Sequence, residues 1–129
     1  MISAVLEFTN GISREFDEAM LKIDECFGWP DAERALSYLG EGWIGEEAVA
    51  LALYCFQKYP NDYKKAVLRG ANTNGDSDSV ACIAGSIGGA YLDFDTIPSE
   101  WVKKIEKSGY LIEMSNRLAM KKDSLNHGR

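Results

Sequence analysis

Apolar residues return at helical spacing along most of the chain. Phe16, Met20, Ile23 and Phe27 lie three or four positions apart behind Ser13, a good cap, so the pattern predicts an amphipathic helix over 13–26, ended near Gly28. Asp31 can cap a second, short helix over 32–39 that stops at Gly40. Ala48, Leu51, Ala52 and Cys55 form the stripe of a third over 45–59, with Glu46 and Glu47 in its first turn, where the helix dipole favours acid, and Pro60 beyond its end. Asn61 and Asp62 cap residues 63–71, in which Ala66, Val67 and Gly70 should face inward. After the loop-like stretch 72–76, residues 77–91 are helix-compatible and small throughout. Pro98 and a capping Ser99 start another helix carrying Val102 and Ile105, and a last one should run over 110–121. No period-two strand pattern and no hairpin signal occurs, so the expected fold is all-α.

Length and composition narrow this to one domain. The chain has 129 residues, 46% apolar and 26% charged, which suits a single core and not a disordered chain. The expected organisation is one all-α domain over 1–122 and an unpatterned, polar, disordered tail over 123–129. Acidic residues (20) outnumber basic ones (14), giving a net charge of −6 with no basic run, so no nucleic-acid partner is expected. The apolar stretch 80–92 is far short of the roughly 20 residues that span a bilayer, and 1–6 is too short for a secretory signal, so no membrane partner is expected either. Cys26, Cys55 and Cys82 are odd in number and widely spaced, with one distant histidine, His127. That arrangement offers neither a zinc cage nor a disulfide framework, and reads as reduced thiols in a cytoplasm.

The chemistry gathers in Asn74-Gly75-Asp76-Ser77-Asp78-Ser79. Two carboxylates spaced Asp-x-Asp on a loop leading into a helix suit a hard divalent cation, which takes oxygen ligands and needs negative charge gathered on one side. Asp76, Asp78 and the Ser79 hydroxyl can converge, Gly75 permits a tight turn, and the helix N-terminus behind them can receive a phosphate. An EF-hand loop is excluded, because counted from Asn72 its glycine and glutamate positions hold Ser77 and Ile83. The Asp-x-Asp nucleophile of strand-borne phosphatases is excluded too, because residues 68–74 do not form a hydrophobic strand. Behind the acids, Ala81, Ala84, Gly85, Gly88 and Gly89 leave a nearly bare helix face, and each mid-helix glycine costs up to about 1 kcal/mol against alanine. Close approach of a backbone or ligand would offset that cost and would put this helix in the middle of the fold.

The succession Gly42-Trp43-Ile44-Gly45-Glu46-Glu47-Ala48, the metal-type hexapeptide, Ile83-Ala84-Gly85-Ser86-Ile87-Gly88-Gly89-Ala90-Tyr91 and Ile97-Pro98-x-x-Trp101 resembles the C-terminal part of the ADP-ribosylglycohydrolase family over roughly residues 32–118. The resemblance implies a compact helical array and a pair of Mg2+ ions. It also implies hydrolysis of the glycosidic bond between ADP-ribose and a modified group. By resemblance Asp76, Asp78 and Ser79 are metal ligands, and Asn74, Gly75 and Gly85 contact substrate. Asn74 replaces a usual glycine, and Ser77 and Ser79 replace commoner threonines that coordinate in the same way. Glu46 and Glu47 are candidate groups behind the ligands, a position that the dipole explains equally well.

Family enzymes draw further ligands and a catalytic acid from Gly-Asp-x-x-Gly and Thr-Asp-Asp-Thr-like segments nearer the N-terminus, and neither occurs in these 129 residues. This chain alone is therefore expected to hold Mg2+ weakly and incompletely, with catalytic residues unassigned. Three readings stay open. The chain is half of a split or truncated hydrolase completed by an N-terminal chain, a non-catalytic ADP-ribose-binding module, or a helical module that forms homo-oligomers through Trp43, Phe94 and Trp101.

Overall fold

The computed structural model describes the backbone of residues 1–9 and 11–126, and the side chains of 1–9 and 11–121. Among the described residues there is no strand. The helices are α1 (Ile2–Thr9), α2 (Arg14–Cys26), α3 (Ala32–Leu39), α4 (Gly45–Lys58), α5 (Tyr63–Ala71), α6 (Ser77–Leu92), α7 (Ser99–Lys104) and α8 (Ser108–Asn126), with a 3-10 turn at Phe94–Thr96. They fall into two compact units, Met1–Thr96 and Ile97–Arg129.

In the first unit α4 is the central element. Ala48 and every residue from Ala50 to Phe56 are buried, and α2, α3, α5 and α6 all pack against this helix. Alanine and leucine give it strong intrinsic helicity, and each fully buried large side chain contributes about 1.5–3 kcal/mol of transfer free energy. Met20, Ile23 and Cys26 of α2 and Ala35, Leu36 and Leu39 of α3 complete one side of the core, with Phe16 and Phe27 packed at its margin. The predicted caps at Ser13, Asp31 and Asp62 form, each side chain accepting backbone N–H groups of the first turn.

The small-residue helix α6 does not take the middle of the fold. Only Val80, Ala84 and Gly88 are buried; Cys82, Ser86 and Ala90 are exposed. The expected close approach is nevertheless present. A Cβ on Gly70 of α5 would lie 3.1 Å from the Ala81 Cα, and one on Gly88 would lie 3.2 Å from the Tyr63 ring. The bare face of α6 thus serves helix packing against α5. At its end Asp93 adopts φ 80°, a conformation normally left to glycine, and its carboxylate accepts the Phe94 N–H at 2.8 Å.

In the second unit Pro98, not Ser99, occupies the cap position of α7, and Ser99 is already helical. Pro98 has the fixed φ and the free carbonyl that a helix start needs, so the N–H groups of Trp101 and Val102 close on its oxygen. Helix α8 runs past the expected end at 121 to Asn126. The last residues of the expected tail, 127–129, lie outside the described residues.

Candidate functional site

The loop that leads through Asp76 into α6 is held from three directions. At its start the end of α5 is tied down: the Thr73 hydroxyl donates to the Gly70 carbonyl at 2.9 Å, the Asn72 amide to the Leu68 carbonyl at 2.7 Å, and an Arg69 Nη to the Asn72 carbonyl at 3.1 Å. Arg69 also pairs with Glu33 at 2.9 Å, joining this corner to α3. At the tip Gly75 has φ 76°, and a Cβ there would overlap the Glu41 carbonyl oxygen, so only glycine fits. At the start of α6 the Asp76 N–H donates to that same carbonyl at 2.9 Å. The turn Gly40-Glu41-Gly42 is therefore the floor of the loop.

That floor is held by Glu47. One oxygen of its carboxylate accepts the N–H groups of both Glu41 and Gly42 at 3.1 Å. Gly40 is required beside it, since a Cβ there would overlap the Glu47 carboxyl group. Gly42 is buried, with φ 80°, against Val80 and Leu51.

Asp76 stands in the cap position of α6, yet its side chain makes no capping bond. It interacts instead with Asp78. A side-chain hydrogen bond with Asp76 comes first, and the backbone N–H groups of Asp78 and Ser79 come second, in holding the Asp78 carboxyl below its ordinary range. Both carboxylates thus stand within the first turn of α6, where the dipole favours negative charge. Ser79 follows, half-buried, in the same turn, and Asp78 is exposed. Among the described residues no group of three or more His, Cys, Asp or Glu converges. The donors fit a hard cation, since they are all oxygens and two can be anionic, but they supply only half or less of its shell.

Asn74 and Gly75 are exposed beside Asp76, and Asn74 lines a small cleft of about 60 Å3 with Glu33, Ser37, Gly40, Glu41 and Thr73. Gly85 is not brought to this corner. It lies roughly two turns along α6, about 10 Å by helical rise, where a Cβ would meet the Tyr63 hydroxyl at 3.2 Å. The link from Glu47 through Glu41 to Asp76 joins residues far apart in the chain and leaves little mark on the sequence. Its trace is the glycine-flanked Glu41 six residues before Glu47, which becomes meaningful only once α6 is docked on α4.

Among the described residues no helix is long and apolar enough to cross a membrane. The family model for ADP-ribosylglycohydrolases matches residues 1–127. ADP-ribosylhydrolase ARH3 of Homo sapiens is 29% identical over 105 residues, covering 72% of this chain and 29% of the relative, and the Mus musculus protein is 31% identical with 72% and 28% covered. ADP-ribosylarginine hydrolase Tri1 of Pseudomonas putida is 36% identical over 58 residues, covering 45% of this chain and 16% of the relative. The chain thus spans less than a third of the length of these curated relatives. No solved structure matches it. With the Asn-Gly-Asp-Ser-Asp-Ser loop and its glycine-bearing helix in place, the match over nearly the whole sequence is decisive: the chain belongs to the ADP-ribosylglycohydrolase family.

Proposed function

We propose that this chain supplies the C-terminal ligand set of a Mg2+-dependent hydrolase acting on an ADP-ribosyl glycosidic bond, and that it acts when a chain carrying the N-terminal ligands completes the site. The observation that supports this reading is the placement of Asp76 and Asp78 two residues apart at the start of α6, with Asp76 in the cap position but making no capping bond. Asp76, Asp78 and Ser79 would hold the metal. When bound, Mg2+ supplies Lewis-acid polarisation of the substrate and activation of a water.

The chain's own residues bind and orient. The two carboxylates would set a negative corner, the Glu41 carbonyl holds the Asp76 backbone at the helix start, and Asn74 and Gly75 border the space a diphosphate would use. Gly85, packed towards Tyr63, enters the reading by family resemblance only. Two carboxylates and a hydroxyl leave much of a roughly six-oxygen Mg2+ shell to water, so affinity from this chain alone should be weak. The three free cysteines, two of them buried, suit a reducing compartment such as the cytoplasm.

The test is release of free ADP-ribose from an ADP-ribosylated substrate with Mg2+, with and without a chain bearing the Gly-Asp-x-x-Gly and Asp-Asp-Thr segments. Asp78→Ala should lower the rate by more than roughly 100-fold, because even groups behind the ligands are commonly worth about 10- to 100-fold. Equal rates for wild type and variant would remove Asp78 from the metal. The sparse carboxylate count favours a second reading, a module that binds ADP-ribose, or other copies of itself, without turnover. Calorimetric binding of ADP-ribose with no release under any pairing would select it.

A further inference from the structure

We propose that Glu47 is a positioning residue for this corner: through the backbone of Glu41 it fixes Asp76 at the start of α6, and so sets cation affinity without touching the cation. The inference rests on the metal reading above only for its effect on affinity. Its structural part stands alone.

Three observations carry it. Glu47 is the third residue of α4, and a glutamate there ordinarily serves its own helix, by favourable charge near the N-terminus or by reaching back to the cap N–H. Here one carboxylate oxygen reaches past the cap residue Ile44 to accept the N–H groups of Glu41 and Gly42, both at 3.1 Å. Next, the Glu41 carbonyl pinned in this way receives the Asp76 N–H at 2.9 Å, a contact spanning 35 positions of sequence. Finally, glycines stand at the two crowded points of the path. A Cβ at Gly40 would overlap the Glu47 carboxyl, and one at Gly75 would overlap the Glu41 carbonyl. With that oxygen engaged by two N–H donors, Glu47 acts through the backbone.

Charge and reach can be separated by substitution. Glu47→Asp keeps a negative charge in the first turn of α4 but is one methylene too short to reach the loop. Glu47→Gln loses the charge but places an acceptor oxygen at the same distance. Amide hydrogen exchange by NMR in metal-free protein reads the structural part, with the Val80 N–H, bonded to the Asp76 carbonyl at 3.2 Å, as internal reference. Binding of Mn2+, followed by the electron paramagnetic resonance of the free ion, reads the affinity.

Glu47→Asp should accelerate exchange at Asp76 by about 10-fold or more while Val80 stays protected, and should weaken Mn2+ binding by about 10- to 100-fold. Glu47→Gln should retain most of both. The reverse order, with Asp like wild type and Gln impaired, would assign Glu47 to helix-dipole stabilisation and overturn the proposal. So would unchanged Asp76 exchange in both variants, or unchanged Mn2+ affinity once Asp76 is deprotected. If Asp78→Ala binds Mn2+ as wild type does, the metal reading fails, and the exchange data alone decide whether Glu47 holds Asp76.

Discussion

At the scale of single residues, the absence of a methyl group sets how closely α5 and α6 can lie. A Cβ on Gly70 would stand 3.1 Å from the Ala81 Cα and 3.2 Å from its nitrogen, backbone atoms that cannot rotate aside. Gly70→Ala should therefore destabilise the protein by about 1–3 kcal/mol in urea denaturation despite its gain in helix propensity. Gly28→Ala, where the added methyl meets nothing within 4 Å, is the reference substitution and should show no such loss. The cysteines differ by burial. Burial pushes the Cys55 thiol up to about 12 and raises Cys26 in the same direction, whereas Cys82 is exposed on the outer side of α6. Sequence alone had placed all three as reduced thiols without telling the exposed one from the buried ones.

At the scale of elements, the starts of helices were the most legible feature, because a cap and the first apolar turn are local chemistry. Ser13, Asp31 and Asp62 all accept the N–H groups their positions suggested. Asp62 also pairs with Lys65 Nζ at 3.0 Å. The backbone N–H and then the side chain of Lys65 hold the Asp62 carboxyl below its ordinary range. A lowered folded-state value means that this contribution is complete above the unfolded value, 3.8, and is lost as pH falls through the lower folded one. Asp62→Ala should lower the denaturation midpoint at neutral pH, and the gap from wild type should close as acid is added below about pH 4. A gap that persists in strong acid would mean the carboxylate is not its source. Elements without a strong local signal were missed or shifted. Helix α1 carries no capping signal although Ile2, Val5 and Leu6 line one side, and α7 takes Pro98 as its cap residue, one position before Ser99, with no side-chain capping bond.

At the scale of the whole molecule, the buried residues among those described all lie in Met1–Thr96, and none lies in the second unit. Ending the chain after Thr96 should therefore leave a single cooperative unfolding transition, followed by circular dichroism, with most of its midpoint retained. A broad, non-cooperative melt would show that the core depends on the remaining residues. The first unit also exposes Phe8 at 88%, Ile12 at 79% and Trp43 at 67%. Each of these large side chains would leave water under a protein cover. The completing chain of the proposed function would supply such a cover.

The sequence by itself determined that the chain is helical, where most helices begin, and which segment sets two aspartates and a serine at a helix start. Those properties depend on neighbours within about four positions, through capping, helical periodicity and turn chemistry. Only the tertiary structure decided that α4 and not α6 is central, that the bare face of α6 serves Tyr63 and α5, and that Glu47 reaches Asp76 through Glu41. These are contacts between residues far apart in the chain, and no local pattern carries them. A glycine-rich face reads the same in sequence whether a ligand or a tyrosine fills it, and a glutamate in a first turn reads the same whether it serves its own helix or the turn beneath Asp76.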